Sequence, residues 1–104
     1  TKSLTLVTKV KDKIKGEFET ETYQFPLFVE GIFTKKAIEL GAELEENEYM
    51  VDKELFDKLA NFVVELYGKQ FTAKELINGI HQGKIIDTFM NVIFGVLQGD
   101  EKNE

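Results

Sequence analysis

The amino-acid sequence predicts an α+β fold, mainly α: a β-hairpin over about residues 3–25, then a compact bundle of about four helices over 29–98. Three observations predict it. The segment Ser3 to Lys11 is rich in Thr, Val and Leu, a composition that favours strands. Apolar residues recur at helical spacing after Pro26. Capping residues and glycines then cut the remainder into helix-sized pieces.

The hairpin is justified by its cross-strand pairs. With a turn over Asp12 to Gly16, Lys11 faces Glu17 and Lys9 faces Glu19, while Val10 meets Phe18 and Thr8 meets Thr20. Opposite charges on one face and apolar or Thr pairs on the other are what such pairing rewards. Pro26 ends the second strand because it has no N–H to donate.

The first helix is expected to begin near Val29, with Val29, Phe33, Ala37 and Leu40 on one stripe, Ile32 beside it and Gly41 as its C-cap. The acidic stretch Glu43 to Glu48 then reads as a solvated connection. Asp52 is placed to N-cap a second helix that stops at Gly68. Thr72 and Glu75 have the spacing of a capping box, opening a short helix that Asn78-Gly79 ends. A last helix runs from about Lys84 to Gln98, and the polar tail 99–104 is expected to fray.

A chain of 104 residues is one domain's worth, and 42% hydrophobic with 31% charged residues is the balance of a folded protein. No low-complexity linker divides it. The absence of Cys removes disulfides, thiolate catalysis and the usual structural zinc site. A formal net charge of -6 argues against a nucleic-acid partner, which needs a basic surface. The Lys residues at 9, 11, 13 and 15 are offset by Glu17, Glu19 and Glu21, so they fit paired strands better than a phosphate track. No apolar run approaches the roughly 18 residues of a membrane span, and the N-terminus lacks the apolar stretch of a secretory signal. These features predict a soluble chain in the cytoplasm.

Catalytic signatures are missing. A single His, His81, falls in a turn, leaving little from which to build a nucleophile and base. No carboxylate lies within an apolar run that would raise its pKa. The glycines at 79, 83, 95 and 99 follow no strand and make no phosphate loop. No enzyme activity, cofactor or metal is expected.

The informative feature is an excess of apolar surface. The segments 53–67 and 84–98 carry the same apolar pattern displaced by thirty residues, each covering roughly 200° of a wheel turned at roughly 100° per residue. A surface helix needs a stripe of only about 100° or somewhat more. Leu55, Leu59, Phe62 and Leu66, with Ile85, Phe89, Val92 and Val96, form the natural core face. The remaining shoulders hold Phe56, Ala60, Val64 and Tyr67, and Ile86, Met90, Phe94 and Leu97. Of these, Phe56, Val64, Tyr67, Ile86, Met90, Phe94 and Leu97 are the candidate residues for partner binding or self-association. The bland alternative is a bundle that sandwiches both helices. An open apolar area of about 400 Å² marks an interface, and burying it contributes about 10 kcal/mol before the costs of association.

Two segments resemble a known family. One is ETYQFPLFVEGIFTKKAIEL, Glu21 to Leu40, an extended stretch leading into a helix with paired Lys. The other runs from FVVELYGKQFTAKELINGI to TFMNVIFGVLQG, Phe62 to Gly99. Together they resemble the tail assembly chaperones of long-tailed, non-contractile phages of Gram-positive bacteria. The resemblance implies that the chain binds the tape measure protein, an apolar helical protein, and keeps it soluble until tail tube subunits polymerise around it. It implies a homo-oligomer in the host cell cytoplasm, absent from the mature virion. It also implies a longer form made by frameshift, of which a chain ending in GDEKNE fits the shorter version. Two other functions are compatible with an acidic helical domain: a regulator that sequesters a host or phage protein, and a structural tail component.

Overall fold

The computed structural model describes residues 3–99. Two strands, β1 (Leu4–Asp12) and β2 (Glu17–Tyr23), pair antiparallel. Four helices follow: α1 (Ile32–Glu46), α2 (Lys53–Leu66), α3 (Ala73–Asn78) and α4 (Ile85–Gln98). This is the α+β, mainly α architecture expected from the sequence. Residues 100–104 of the expected frayed tail lie outside the described residues.

The hairpin turn is held by Asp12, whose Oδ1 accepts the N–H groups of Ile14 and Lys15, each at 3.1 Å. Gly16 closes it at φ +75°, a conformation in which a Cβ is strained. Lys9 pairs with Glu19 and Val10 with Phe18, as the sequence predicts. The register differs on both sides: Thr20 faces Val7 instead of Thr8, and Glu17 faces Asp12 instead of Lys11. Thr8 and Lys11 are each an extra residue on β1, and such bulges shift every later pair. Lys11 still reaches Glu19, at 3.2 Å.

Only the base of the hairpin joins the body. Leu4 and Leu6 are buried, whereas β2 is exposed from Glu17 to Thr22. The Val7 N–H donates to the Gly79 carbonyl at 2.9 Å, tying β1 to the end of α3. That approach requires glycine. A Cβ on Gly79 would lie 2.8 Å from the Glu75 carbonyl oxygen and 2.9 Å from Leu6 Cβ.

α1 departs from expectation at both ends. It starts at Ile32 with Gly31 as N-cap, so Val29 belongs to the preceding loop. It also runs through Gly41, predicted as its stop, to Glu46. Leu40 and Leu44 lie one turn apart and both are buried, and that burial outweighs the roughly 1 kcal/mol that glycine costs a helix interior. Glu43, Glu45 and Glu46 are therefore the last turns of α1, not a connection. The chain reverses through Glu48 and Tyr49, both at positive φ, with the Tyr49 N–H bonded to the Leu44 carbonyl at 2.7 Å.

The remaining caps fall where the sequence places them. Asp52 accepts the Leu55 N–H at 2.9 Å and opens α2. Gly68, at φ +73°, follows the end of that helix. Thr72 and Glu75 form both halves of a capping box on α3. Gly99, at φ +63°, caps α4 in the left-handed conformation.

The core forms around α2, which buries Leu55, Leu59, Ala60, Phe62, Val63 and Leu66. α4 buries only Ile85, Phe89 and Ile93. Ile93 replaces Val92 and Val96 on the expected core face, because those two valines turn toward a cleft beside Phe25 and are only half-buried. The two helices share a sequence pattern but not an environment: α2 buries six residues and α4 three.

Candidate functional site

The seven shoulder residues fall into three environments. Tyr67 is 2% exposed and belongs to the core: its ring meets Phe25 edge-on at 5.5 Å and Phe71 at 5.8 Å. Its neighbour on the shoulder, Ala60, is equally closed. Phe56, Val64, Ile86, Met90 and Phe94 are half-buried against the core, with Phe56 tilted over Phe89 at 5.4 Å. Leu97 alone of the seven is exposed, at 39%. On α2, Tyr67 is closed by Phe25 of the strap Phe25–Val29 and by Phe71, and Phe56 is packed on Phe89 of α4. Packing inside the monomer accounts for much of the apolar excess.

The larger open surface lies elsewhere, on residues the helical wheel does not reach. Between β2 and α1 the run Phe25-Pro26-Leu27-Phe28-Val29 crosses the body as an irregular strap. Phe25 is its inward anchor on Tyr67, and Tyr23 just before it meets Phe71 edge-on at 5.0 Å. Leu27 and Phe28 point outward; Leu27 is fully exposed and Phe28 is 76% exposed. Gln70 fastens the strap from the other side, donating to the carbonyls of Gln24 and Tyr67, each at 2.8 Å. The sequence signal was present: five apolar or Pro residues in a row, with neither a strand's nor a helix's period.

The strap adjoins the seam between α1 and α4. Phe28, Thr34 of α1 and Val96 of α4 line one cleft of about 350 Å³, together with Leu27, Val29 and Glu30. A second cleft, of about 210 Å³, lies between the hairpin base and α4 and is lined by Ser3, Leu4, Phe25, Asn91, Val92 and Val96 among others. Further along the seam Gly41 lies against Leu97, since a Cβ there would stand 3.6 Å from Leu97 Cδ1. Ile38, between Thr34 and Gly41 on α1, is 56% exposed. Leu27, Phe28, Ile38 and Leu97 are the exposed apolar residues along the strap and this seam, and Ile32, also exposed, lies on the other side of Phe28 in a hollow with Glu65 and Lys69.

Nothing polar is buried with these residues, and no buried side-chain polar atom lacks a partner among the described residues. Nor do three or more His, Asp or Glu side chains converge among them as they would around a metal ion. His81 is exposed in the turn before α4, where its carbonyl accepts the Lys84 N–H at 2.9 Å. The Tyr23 phenol is held above its ordinary pKa, first by desolvation against the body and then by the carboxylates of Glu21 and Glu75. Among the described residues, no helix is long and apolar enough to cross a membrane. This surface can bind an apolar segment of a protein.

The phage tail chaperone protein family matches residues 3–104, nearly the whole chain. The chain belongs to that family. It is a phage tail assembly chaperone, a class whose work is to bind a tail protein before assembly. No curated protein and no solved structure gives a match.

Proposed function

We propose that this tail chaperone binds the tape measure protein of a long-tailed, non-contractile phage of Gram-positive bacteria and keeps it in solution until tail tube subunits polymerise around it. Membership of the phage tail chaperone family over residues 3–104 carries this reading. The open apolar surface at Leu27, Phe28, Ile38 and Leu97 supports it, because an unassembled apolar helical protein needs such a surface to be shielded from its own copies. The half-buried shoulder residues Phe56, Val64, Ile86, Met90 and Phe94 pack against the core with part of their surface open, and contribute to the partner contact or to self-association. The homo-oligomer, and a frameshifted longer form within it, belong to the same reading. So does residence in the host cytoplasm and absence from the finished particle.

Co-expression tests the partner. Fragments of the tape measure protein should stay in the supernatant with the chaperone and precipitate without it. If they precipitate in both cases, the partner is wrong. Mass spectrometry of purified virions separates the chaperone from a structural tail component, since only the latter persists in the particle.

A further inference from the structure

We propose that the outer edge of β2 takes up an extended segment of a partner protein as a third strand, a segment with Lys or Arg on one face and apolar or Thr residues on the other. This contact goes beyond the tape measure reading: it lies on the hairpin, not on the strap or the α1–α4 seam, and it takes a strand, not a helix.

The edge is open. The Val7 N–H leaves the hairpin to bond the Gly79 carbonyl, and the Val7 carbonyl oxygen lies on the same side, 3.0 Å from where a Gly79 Cβ would stand. Val7 and its partner Thr20 therefore share no hydrogen bond across the strands. In an antiparallel ladder both residues of such a pair point their N–H and C=O groups outward, those of Thr20 from the far edge. Phe18 and Thr22 do the same by the alternation of the strand. Among the described residues, no backbone hydrogen bond from outside the hairpin reaches β2. Beyond Val7 the body gives no cover either: β1 is exposed from Thr8 to Lys11 and β2 from Glu17 to Thr22. Two strands standing alone are marginal in water, and a third gives these backbone groups partners.

Side chains select the strand. Glu17, Glu19 and Glu21 alternate along β2 and so share one face, and Phe18, Thr20 and Thr22 share the other. Among the described residues only Glu19 of the three is in an ion pair, with Lys11. Glu17 stands opposite Asp12, a like charge, and Glu21 opposite Leu6. On the second face Phe18 has Val10 beside it on one side and is still 52% exposed. β1 displays what β2 accepts on its inner edge: Lys9 beside Glu19 and Val10 beside Phe18. The same alternation on the outer edge supplies cations to Glu17 and Glu21 and an apolar neighbour to Phe18.

A second copy does not fit this edge. Its β2 would set Glu against Glu, and its β1 is held at Val7 by Gly79. A copy adding β1 with its hairpin pointing the same way would also stand only about 10 Å away, two strand spacings. The molecule is 21 Å across at its narrowest.

The test uses the full chain and two synthetic peptides of about nine residues, an ordinary strand length. Both alternate a charged residue with Val or Thr; one carries Lys and the other Glu. Fluorescence anisotropy should show the Lys peptide binding at least tenfold tighter, with the preference shrinking as salt rises. Hydrogen exchange should slow at the amides of Phe18, Thr20 and Thr22 when the Lys peptide is bound, and not along α1 or α4. Thr20→Pro removes one outward N–H where an edge strand tolerates proline. It should weaken the Lys peptide at least tenfold with unchanged circular dichroism. Should that variant lose its fold, Glu17→Lys with Glu21→Lys keeps the backbone groups and should reverse the preference between the peptides. Equal affinity for the two peptides, or slowed exchange confined to the α1–α4 seam, overturns the proposal. So does undiminished binding by a folded Thr20→Pro chain. If neither peptide binds, this inference falls, and the proposed function then stands or falls on the tape measure co-expression alone.

Discussion

The rings of Phe25 and Tyr67 meet edge-on, their centroids 5.5 Å apart and their planes at 87°. This contact turns Phe25 inward and leaves the next residues of the strap, Leu27 and Phe28, outward. One aromatic pair therefore closes the shoulder of α2 and displays a different apolar surface on the opposite side of the strap.

Stability and binding should separate along this division. Tyr67→Ala removes a buried ring and should cost about 3–5 kcal/mol, lowering the denaturant midpoint strongly. Leu27→Ser changes a fully exposed side chain and should shift stability by no more than about 0.5 kcal/mol. In a co-expression assay with the tail protein, the folded Leu27→Ser chain should lose solubilising activity. Urea titration of both variants beside that assay makes the comparison.

Gly79→Ala should destabilise the junction of hairpin and helices. The added methyl would sit 2.8 Å from one backbone oxygen, that of Glu75, and 3.0 Å from another, that of Val7. Neither backbone position yields as a flexible side-chain end would. A cost of about 1–3 kcal/mol is expected, read as a fall in Tm of several degrees for a domain of this size. An equally large fall for Gly31→Ala would contradict the argument, since nothing stands within 4 Å of a Cβ there.

The two side-chain caps should matter individually. Asp52→Ala leaves the Leu55 N–H without its 2.9 Å acceptor, and Thr72→Ala breaks the 3.1 Å bond from the Glu75 N–H. Each should cost about 1 kcal/mol. Exchanging Asp52 for Asn should restore most of the loss, because an amide oxygen accepts the same bond. Chemical denaturation of the three variants measures this.

Tyr23 should titrate above the ordinary phenol value of 10.0, because desolvation and the carboxylates of Glu21 and Glu75 disfavour the phenolate. The folded state then holds this proton more tightly than the unfolded state does. Its contribution to stability is complete below pH 10.0 and is lost as the pH rises from there through the folded value. Difference absorbance between wild type and Tyr23→Phe isolates this one phenol. Glu75→Gln should lower its midpoint.

Much of the fold is legible in the sequence because much of it is local. Asp12 with Gly16, Asp52 with Leu55, and Thr72 with Glu75 are hydrogen-bond or turn relationships completed within a few residues, and each stands where the sequence puts it. The hairpin's central pairs are legible for the same reason, but its flanking register is not. Two bulged residues, Thr8 and Lys11, carry no mark that separates them from ordinary strand residues.

The candidate surface was less legible. The wheel identified too much apolar surface on 53–67 and 84–98 but not which part of it is covered. Coverage depends on segments distant in the chain: Phe25 and Phe71 close over Tyr67, while Leu97 remains exposed beside Gly41. The same long-range burial carries α1 past its predicted stop, because Leu44 is worth more in the core than Gly41 costs in the helix. By itself, then, the sequence determined the strands, the caps of α2, α3 and α4, the acidic character and the family, all of which are written in neighbouring residues or in overall pattern. Only the tertiary structure decided which apolar side chains remain open, because hydrophobic burial has no direction along the chain and is settled by whatever packs against it.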